Sequence, residues 1–310
     1  MKILVFGKDG QLGRAFQQRF SSKPNVYFLG RQELDLANAA SLKDCIEKFA
    51  PDQIINTAAY TAVDRAENDI ETAFAINENA VGVMASYCYK NNKRLLHFST
   101  DYVFNGEKSS PYVEDDICNP LNIYGQSKLG GERRIQDIFS KQENNGAQTH
   151  DGGSFFILRT TWVYGDGVNF IRTILRLAKE RSELKIVSDQ YGVPTSADWL
   201  TYLSLMLLDE ADIPSGIYHA TPFGKTNWYE LAQFVLECAK ELGISFKLEM
   251  DNFFPISAKQ YPLPAKRPTN SILLTNKLRR TLLPTQSLLE EDWRSRVKAY
   301  IHSLHRQGLI

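Results

Sequence analysis

Tyr124 and Lys128 stand four residues apart in a stretch with helical periodicity, which places both side chains on one helix face. A phenol with an ordinary pKa of about 10 is a poor acid near neutrality, and an ammonium beside it would stabilise the phenolate and draw that pKa towards the working pH. Two dozen residues earlier, Ser99 and Thr100 close a strand-like run, where the Thr100 hydroxyl could orient a substrate carbonyl beside the phenol. The Tyr-to-Lys spacing alone carries little, because Tyr89 and Lys93 repeat it at what reads as a helix end. Context separates the two pairs: Tyr124 follows both the hydroxyl-bearing strand end and a glycine-rich turn.

That turn holds Gly7, Gly10 and Gly13, with Gln11 and Leu12 inside it, directly after the first apolar run. Glycine permits a tight turn and close approach of backbone to a pyrophosphate, whose charge then sits at the positive end of the following helix. The spacing is not the G-x-G-x-x-G form, so its place between a strand and an amphipathic helix carries the assignment. At the end of the second strand, Leu29, Gly30 and Arg31 offer no acid to a ribose 2′-hydroxyl. Arg31 reads either as a partner for the 2′-phosphate of NADP or as a solvated loop residue. Asp35 and Leu36 follow where an adenine would be lined. The small residues of the stretch 56–61, among them Ala58, Ala59 and Thr61, suit a backbone passing a flat cofactor, and a tight packing site would look the same.

Such a constellation needs strands that end together and helices behind them. Strands are predicted at 2–6, 26–29, 53–56, 94–99 and 154–159, with helices at 12–20, 41–49, 70–91 and 122–140. The runs near Phe6, Ile55 and Phe98 are apolar on successive residues, as in strands buried on both faces. The alternation predicts an α/β fold with a Rossmann-like, doubly wound parallel sheet. Ser41 is expected to cap its helix and Pro51 to stop it. After Gly167 the rhythm becomes irregular: a helix at 170–181, a strand at 184–187, a helix at 198–209, a strand at 216–220, a helix at 228–242 and a Pro-marked loop at 255–268. This pattern predicts a nucleotide-binding domain at 1–163, rejoined by a segment at about 193–220, and a smaller, interleaved C-terminal α/β substrate domain at 164–192 and 221–310. The polar stretch 141–153 (KQENNGAQTHDGG) reads as an exposed loop without functional weight.

The 310 residues carry 36 Lys+Arg against 36 Asp+Glu, so nothing global attracts the chain to nucleic acid or to an anionic membrane surface. Lys277, Arg279 and Arg280 form the densest basic cluster, and a solvated helix end explains them. No apolar run approaches the roughly 20 residues of a spanning helix, and the N-terminal run is too short for a secretory signal. A soluble protein is expected. Cys45, Cys88, Cys118 and Cys238 lie far apart with no C-x-x-C pair, which argues against zinc knuckles and disulfides and for a reducing cytoplasm. His97, His150 and His219 stand alone, and His302 and His305 sit near the C-terminus on what reads as an exposed helix face. No catalytic metal is expected. Glu290, Glu291 and Asp292 are either the start of a solvated helix or ligands for a divalent ion between subunits.

Residues 7–13, 56–67 (NTAAYTAVDRAE), 99–104 (STDYVF), 119–132 (NPLNIYGQSKLGGE), 159–165 (RTTWVYG), 188–195 (SDQYGVPT) and 264–271 (PAKRPTNS) span nearly the whole chain. In these blocks and their order the sequence resembles the dTDP-4-dehydrorhamnose reductases, which are extended short-chain dehydrogenases/reductases. The resemblance implies NAD(P)H-dependent reduction of the 4-keto group of dTDP-4-dehydro-L-rhamnose to dTDP-L-rhamnose, for nucleotide-sugar and cell-surface polysaccharide biosynthesis. It implies a catalytic set of Thr100, Tyr124 and Lys128. Tyr124 would protonate the C4 alkoxide, Lys128 would bind the nicotinamide ribose and depress the tyrosine pKa, and Thr100 would fix the carbonyl. Val63, Asp101, Tyr102 and Trp162 match positions around the sugar, or are packing residues at a strand end. Arg267 is a candidate for the substrate diphosphate, or else an unpaired surface residue. Gly30 stands where many relatives carry an acid, which favours NADPH or dual use over strict NADH use. A homodimer is also implied. Two rivals remain at this level: a ketoreductase of another nucleotide 6-deoxyhexose, and a non-catalytic regulatory subunit like that of methionine adenosyltransferase, which resembles the same family.

Overall fold

β1 (Ile3–Phe6) buries all four side chains. Successive residues of a strand point to opposite faces, and here Ile3 and Val5 enter one core while Leu4 and Phe6 enter another. The computed structural model describes residues 1–140, 153–210, 212–282 and 290–310, so nearly all of the expected loop at 141–153 lies outside the described residues. β2 (Val26–Leu29), β3 (Gln53–Asn56), β4 (Arg94–Thr100) and β5 (Ser154–Thr160) lie within a residue or so of their predicted places.

On one face α1 (Gln11–Arg19) supplies Phe16, beside Phe20 just past its end. On the other face α2 (Ala39–Phe49), α5 (Ala80–Lys90) and α6 (Ile123–Phe139) supply Leu42, Ile46, Met84 and Ile135. Two local expectations change. Asn38, not Ser41, caps α2: its side chain accepts from the Ser41 amide at 3.0 Å, so Ser41 lies inside the first turn. The predicted helix over 70–91 is preceded by α3 (Val63–Ala66) and divides into α4 (Ile70–Phe74), a π-helical turn Ala75–Asn79, and α5. The turn brings the Asn77 carbonyl so near α6 that a Cβ at Gly131 would stand 2.2 Å from it.

Beyond β5 the strands shorten. β6 (Val163–Tyr164) pairs with β9 (Thr195–Ser196), β7 (Leu184–Val187) with β12 (Phe253–Ile256), and β8 (Tyr191–Gly192) with β11 (Thr226–Asn227), while β10 (Gly216–His219) returns to β5. The large sheet is therefore parallel, in the order β10-β5-β4-β3-β1-β2, a Rossmann-like arrangement. α8 (Ala197–Asp209) also belongs to this body, with Trp199, Leu200 and Leu203 in the core of Phe16. α7 (Phe170–Glu180), α9 (Trp228–Glu241) and the C-terminal helix Trp293–Arg306 form a separate core around Ile171, Leu175, Leu231, Val235 and Val297. α10 (Asn276–Thr281) lies within the expected substrate segment 221–310, yet its Leu278 packs into the first core. Asp292 caps the C-terminal helix and Glu291 pairs with Arg296 at 2.6 Å. Among the described residues no helix is long and apolar enough to cross a membrane.

A Cβ at buried Gly13 would lie 2.1 Å from the Gly7 carbonyl oxygen and 2.7 Å from Lys8 Cα, both backbone atoms. Gly13→Ala should therefore lower stability by about 1–3 kcal/mol through overpacking of the first turn, read as a lower urea midpoint. An unchanged midpoint would show that the turn can open.

Candidate active site

The carboxyl ends of β1, β3, β4 and β5 open into one cavity of about 860 Å³. Parallel α/β sheets place ligands at this edge, where strand ends and helix starts meet. Gly7 adopts φ +88°, and a Cβ there would stand 2.6 Å from the Ala58 amide nitrogen. Gly10 closes the turn by donating its N–H to the Gly7 carbonyl at 3.0 Å, and its Cβ direction is open apart from that oxygen at 3.4 Å. Gly7, Gly10, Gln11 and Leu12 line the cavity, whereas Gly13 supports them from beneath. Gln11 Nε2 donates to the Val163 carbonyl at 3.2 Å, which ties the turn to β6.

Arg31, Asp35 and Leu36 line the outer part, with Arg31 and Asp35 exposed, and Ala58, Ala59 and Thr61 form the wall after β3. Gly30 is crowded: a Cβ there would lie 2.2 Å from Asp9 Oδ2. Glu33, which the sequence reading overlooked, accepts the Gly30 N–H at 2.9 Å and pairs with Lys8 at 2.5 Å.

β4 ends at Thr100, whose hydroxyl donates to Asp101 Oδ1 at 3.0 Å and accepts the Tyr102 N–H at 3.2 Å. Asn122 caps α6 by accepting the Gly125 N–H at 2.8 Å. Gly125 allows the helix start to approach, since a Cβ there would be 2.2 Å from the Tyr102 carbonyl oxygen. The Tyr124 ring meets Tyr102 edge-on, with centroids 5.7 Å apart, and the Thr100 hydroxyl faces its phenol. Burial pushes the Tyr124 pKa up to about 12, against the Thr100 hydrogen bond and with the help of the Asp101 charge. Lys128 is buried and donates to the Phe98 carbonyl at 2.6 Å, while its Nζ stands 3.1 Å from His97 Nε2. Burial draws its pKa down to about 8, with Glu132 opposing. The expected depression of the tyrosine pKa by Lys128 is thus not present in the protein alone. Burial dominates the phenol, and the amine is committed to β4.

Val63, Asp101, Tyr102 and Trp162 also line the cavity. Asp101 is 3% exposed, and burial raises its pKa to about 7 against the Ser271 and Thr100 hydroxyls. Trp162 lies at φ +43°, a region costly for a side chain of its size. Its indole stacks on Trp228 at 3.7 Å, and Gly192 makes room for it: a Cβ there would be 2.7 Å from the ring. Arg267 is neither an unpaired surface residue nor part of the cavity lining. It is bound to Asp64, Nη2 to Oδ2 at 2.7 Å and Nη1 to Oδ1 at 3.1 Å, beside Tyr102.

Several residues of the site escaped the sequence reading. Trp228 lines the cavity behind Trp162. Asn77 bonds both main-chain groups of Tyr60 and donates to Ser127 Oγ at 3.0 Å, joining the wall after β3 to α6. Glu132 is fully buried, paired with Arg159 at 2.7 Å and bonded by Ser99 at 2.5 Å. The only signal for Asn77 and Glu132 was a polar residue on an otherwise buried helical face.

The family model described as RmlD substrate binding domain matches residues 1–306. The dTDP-4-dehydrorhamnose reductase of Burkholderia thailandensis is 39% identical, over 99% of this chain and 100% of that protein. Its counterpart in Escherichia coli K12 is 37% identical, over 98% of each chain. Two solved structures of proteins named dTDP-4-dehydrorhamnose reductase superpose with a TM-score of 0.84, each covering 98% of this chain and 100% of the other: one from Clostridium acetobutylicum at 34% identity, and one from Bacillus anthracis at 30%, in complex with NADP.

The buried acid has a consequence for stability. Between the ordinary pKa of 3.8 and the folded value of about 7, folded Asp101 keeps a proton that the unfolded chain releases, so stability falls as pH rises through this window. In Asp101→Asn the part of that fall due to this group should vanish, as read from denaturant midpoints across the window. An unchanged slope would mean that Asp101 titrates normally.

Proposed function

The chain belongs to the dTDP-4-dehydrorhamnose reductase family, and from that premise we infer that it reduces the 4-keto group of dTDP-4-dehydro-L-rhamnose to dTDP-L-rhamnose with NAD(P)H. The observation that carries this reading is the single cavity in which the glycine turn, Thr100, Tyr124, Lys128 and the Trp162 platform share one wall system. The residues fit a dinucleotide: the open Cβ direction at Gly10, the first turn of α1 and the small side chains of Ala58 and Ala59 leave room for its backbone and rings. When bound, the reduced nicotinamide supplies the hydride.

The protein's part follows from its own side chains. Gly7, Gly10, Gln11 and Leu12 would hold the pyrophosphate, Arg31 a 2′-phosphate, and Asp35, Leu36, Ala58, Ala59 and Thr61 the adenosine and nicotinamide halves. The Thr100 hydroxyl orients the sugar carbonyl, and the Tyr124 hydroxyl, protonated at neutral pH, donates to the C4 oxygen as charge develops there. Lys128 sits one turn further along the same helix and reaches the ribose side. Val63, Asp101 and Tyr102 enclose the sugar, while Trp162, backed by Trp228, offers it a flat apolar face. Arg267 would approach the diphosphate from its pairing with Asp64. In this reading residues 1–163 with about 193–220 form the cofactor domain and the rest the substrate domain, apart from α10. A cytoplasmic location agrees with four free cysteines, and the family resemblance favours a homodimer.

The direct assay supplies dTDP-4-dehydro-L-rhamnose with NADPH or NADH and follows nicotinamide absorbance. Substrate-dependent oxidation is expected; its absence would favour a non-catalytic role. Tyr124→Phe should keep cofactor affinity and lose turnover by about 10²- to 10⁴-fold, and near-normal turnover would remove Tyr124 from proton transfer. Arg31→Ala should weaken NADPH far more than NADH, whereas equal losses would remove Arg31 from 2′-phosphate recognition.

A further inference from the structure

His97 belongs to no step described so far, yet it joins the end of β3 to Lys128. Asn56 Oδ1 accepts the Ala58 N–H at 3.1 Å, and that main-chain group can only donate. The amide orientation is therefore fixed, and Asn56 Nδ2 is the atom that faces His97 Nδ1 at 3.1 Å. An NH₂ group also only donates, so Nδ1 must accept. The ring is fully buried, and burial holds its pKa well below the ordinary value, so it carries one proton. That proton is left on Nε2, which points at Lys128 Nζ across 3.1 Å. An N–H aimed at nitrogen needs a lone pair there. A neutral amine has one and keeps hydrogens to give the Phe98 carbonyl at 2.6 Å; an ammonium has none.

We propose that His97 is a positioning residue for the reductase: Asn56 fixes it as the Nε2–H tautomer, and that N–H favours the neutral form of the Lys128 amine in the ligand-free protein. The proposal rests on the reductase reading only for its catalytic meaning. Protonating Lys128 requires His97 to move its proton to Nδ1 and Asn56 to reverse its amide, which takes an acceptor away from Ala58 in the cofactor wall. Charge on the amine is thereby coupled to the backbone of that wall. The other titratable groups about Lys128 are Tyr124 and Glu132 on its own helix, Glu132 being paired with Arg159 of β5, while β3 contributes only the neutral Asn56. Burial draws the Lys128 pKa down to about 8, so the neutral amine is the main form above that pH.

Nitrogen-15 NMR of the histidine-labelled, ligand-free protein above pH 8 tests this without substrate, with the His97 signals assigned by their loss in His97→Gln. Neutral His97 protonated on Nε2 is expected; the Nδ1–H tautomer or an imidazolium would overturn the proposal. Asn56→Asp keeps an acceptor for Ala58 and offers a second one to His97, so the ring should switch to Nδ1–H. Its Nε2 lone pair should then favour the ammonium, moving the Lys128 limb of the pH profile of kcat/KM upward by about one pH unit or more. A ring that switches while the profile stays fixed would break the link to Lys128. An inactive wild-type protein would refute the reductase reading alone, leaving the tautomer result to stand by itself.

Discussion

A lysine amine buried against a strand holds this site together. Lys128, 2% exposed, ends on the Phe98 carbonyl and the His97 ring of β4. One helical turn further, Glu132 grips Arg159 of β5 and Ser99 of β4. These contacts fix α6 across the two strands that end at Thr100 and Thr160. Removing one partner from a buried ion pair typically costs about 3–5 kcal/mol, so the helix has little freedom to shift. Tyr124 lies on that helix where its ring meets both Thr100 and Tyr102, and Gly125 gives the helix start its close approach to Tyr102.

Around this fixed edge the rest of the cavity is assembled from three cores. The core of Phe16 backs the glycine turn through Leu12, the core of Phe6 backs the wall after β3 through Ala58, and the third presents Trp162 and Trp228. The small parallel pair β6–β9 and the Gln11 contact with Val163 join the first and the third at the cavity itself. Trp162 bears a strained backbone at this junction, held by the stack on Trp228 and by the space over Gly192. Strain at such a residue persists where its surroundings over-determine it, and the platform gains a fixed orientation from it.

The features legible in the sequence were those whose cause is local. Gly7 is demanded by its positive φ and Gly13 by contacts within the turn, Tyr124 and Lys128 share a face through the helix period, and the strands follow from apolar runs buried on two faces. Features made across the chain were not legible. His97 meets partners 41 and 31 residues away, and Arg267 meets Asp64 across 203 residues, so neither spacing nor composition marks them. The direction of the phenol's pKa in the ligand-free protein was not legible for a related reason: the spacing to Lys128 is visible, but the burial that pushes the value up is made by residues distant in sequence. The displaced cap of α2 is a smaller case, in which Asn38 and Ser41 are both good capping residues and the helix starts at the earlier one.

On the proposed reading, with the glycine turn and the Trp162 face in one cavity, hydride should pass directly between the two ligands without exchange with water. The measurement that addresses this most directly uses NADPH carrying deuterium at the transferring position of nicotinamide C4 and follows the product sugar by NMR. Full retention of deuterium at C4 of dTDP-L-rhamnose is the expected result. Deuterium lost to solvent, or found at another carbon, would contradict a site in which Tyr124 protonates the oxygen of the same carbonyl that receives the hydride.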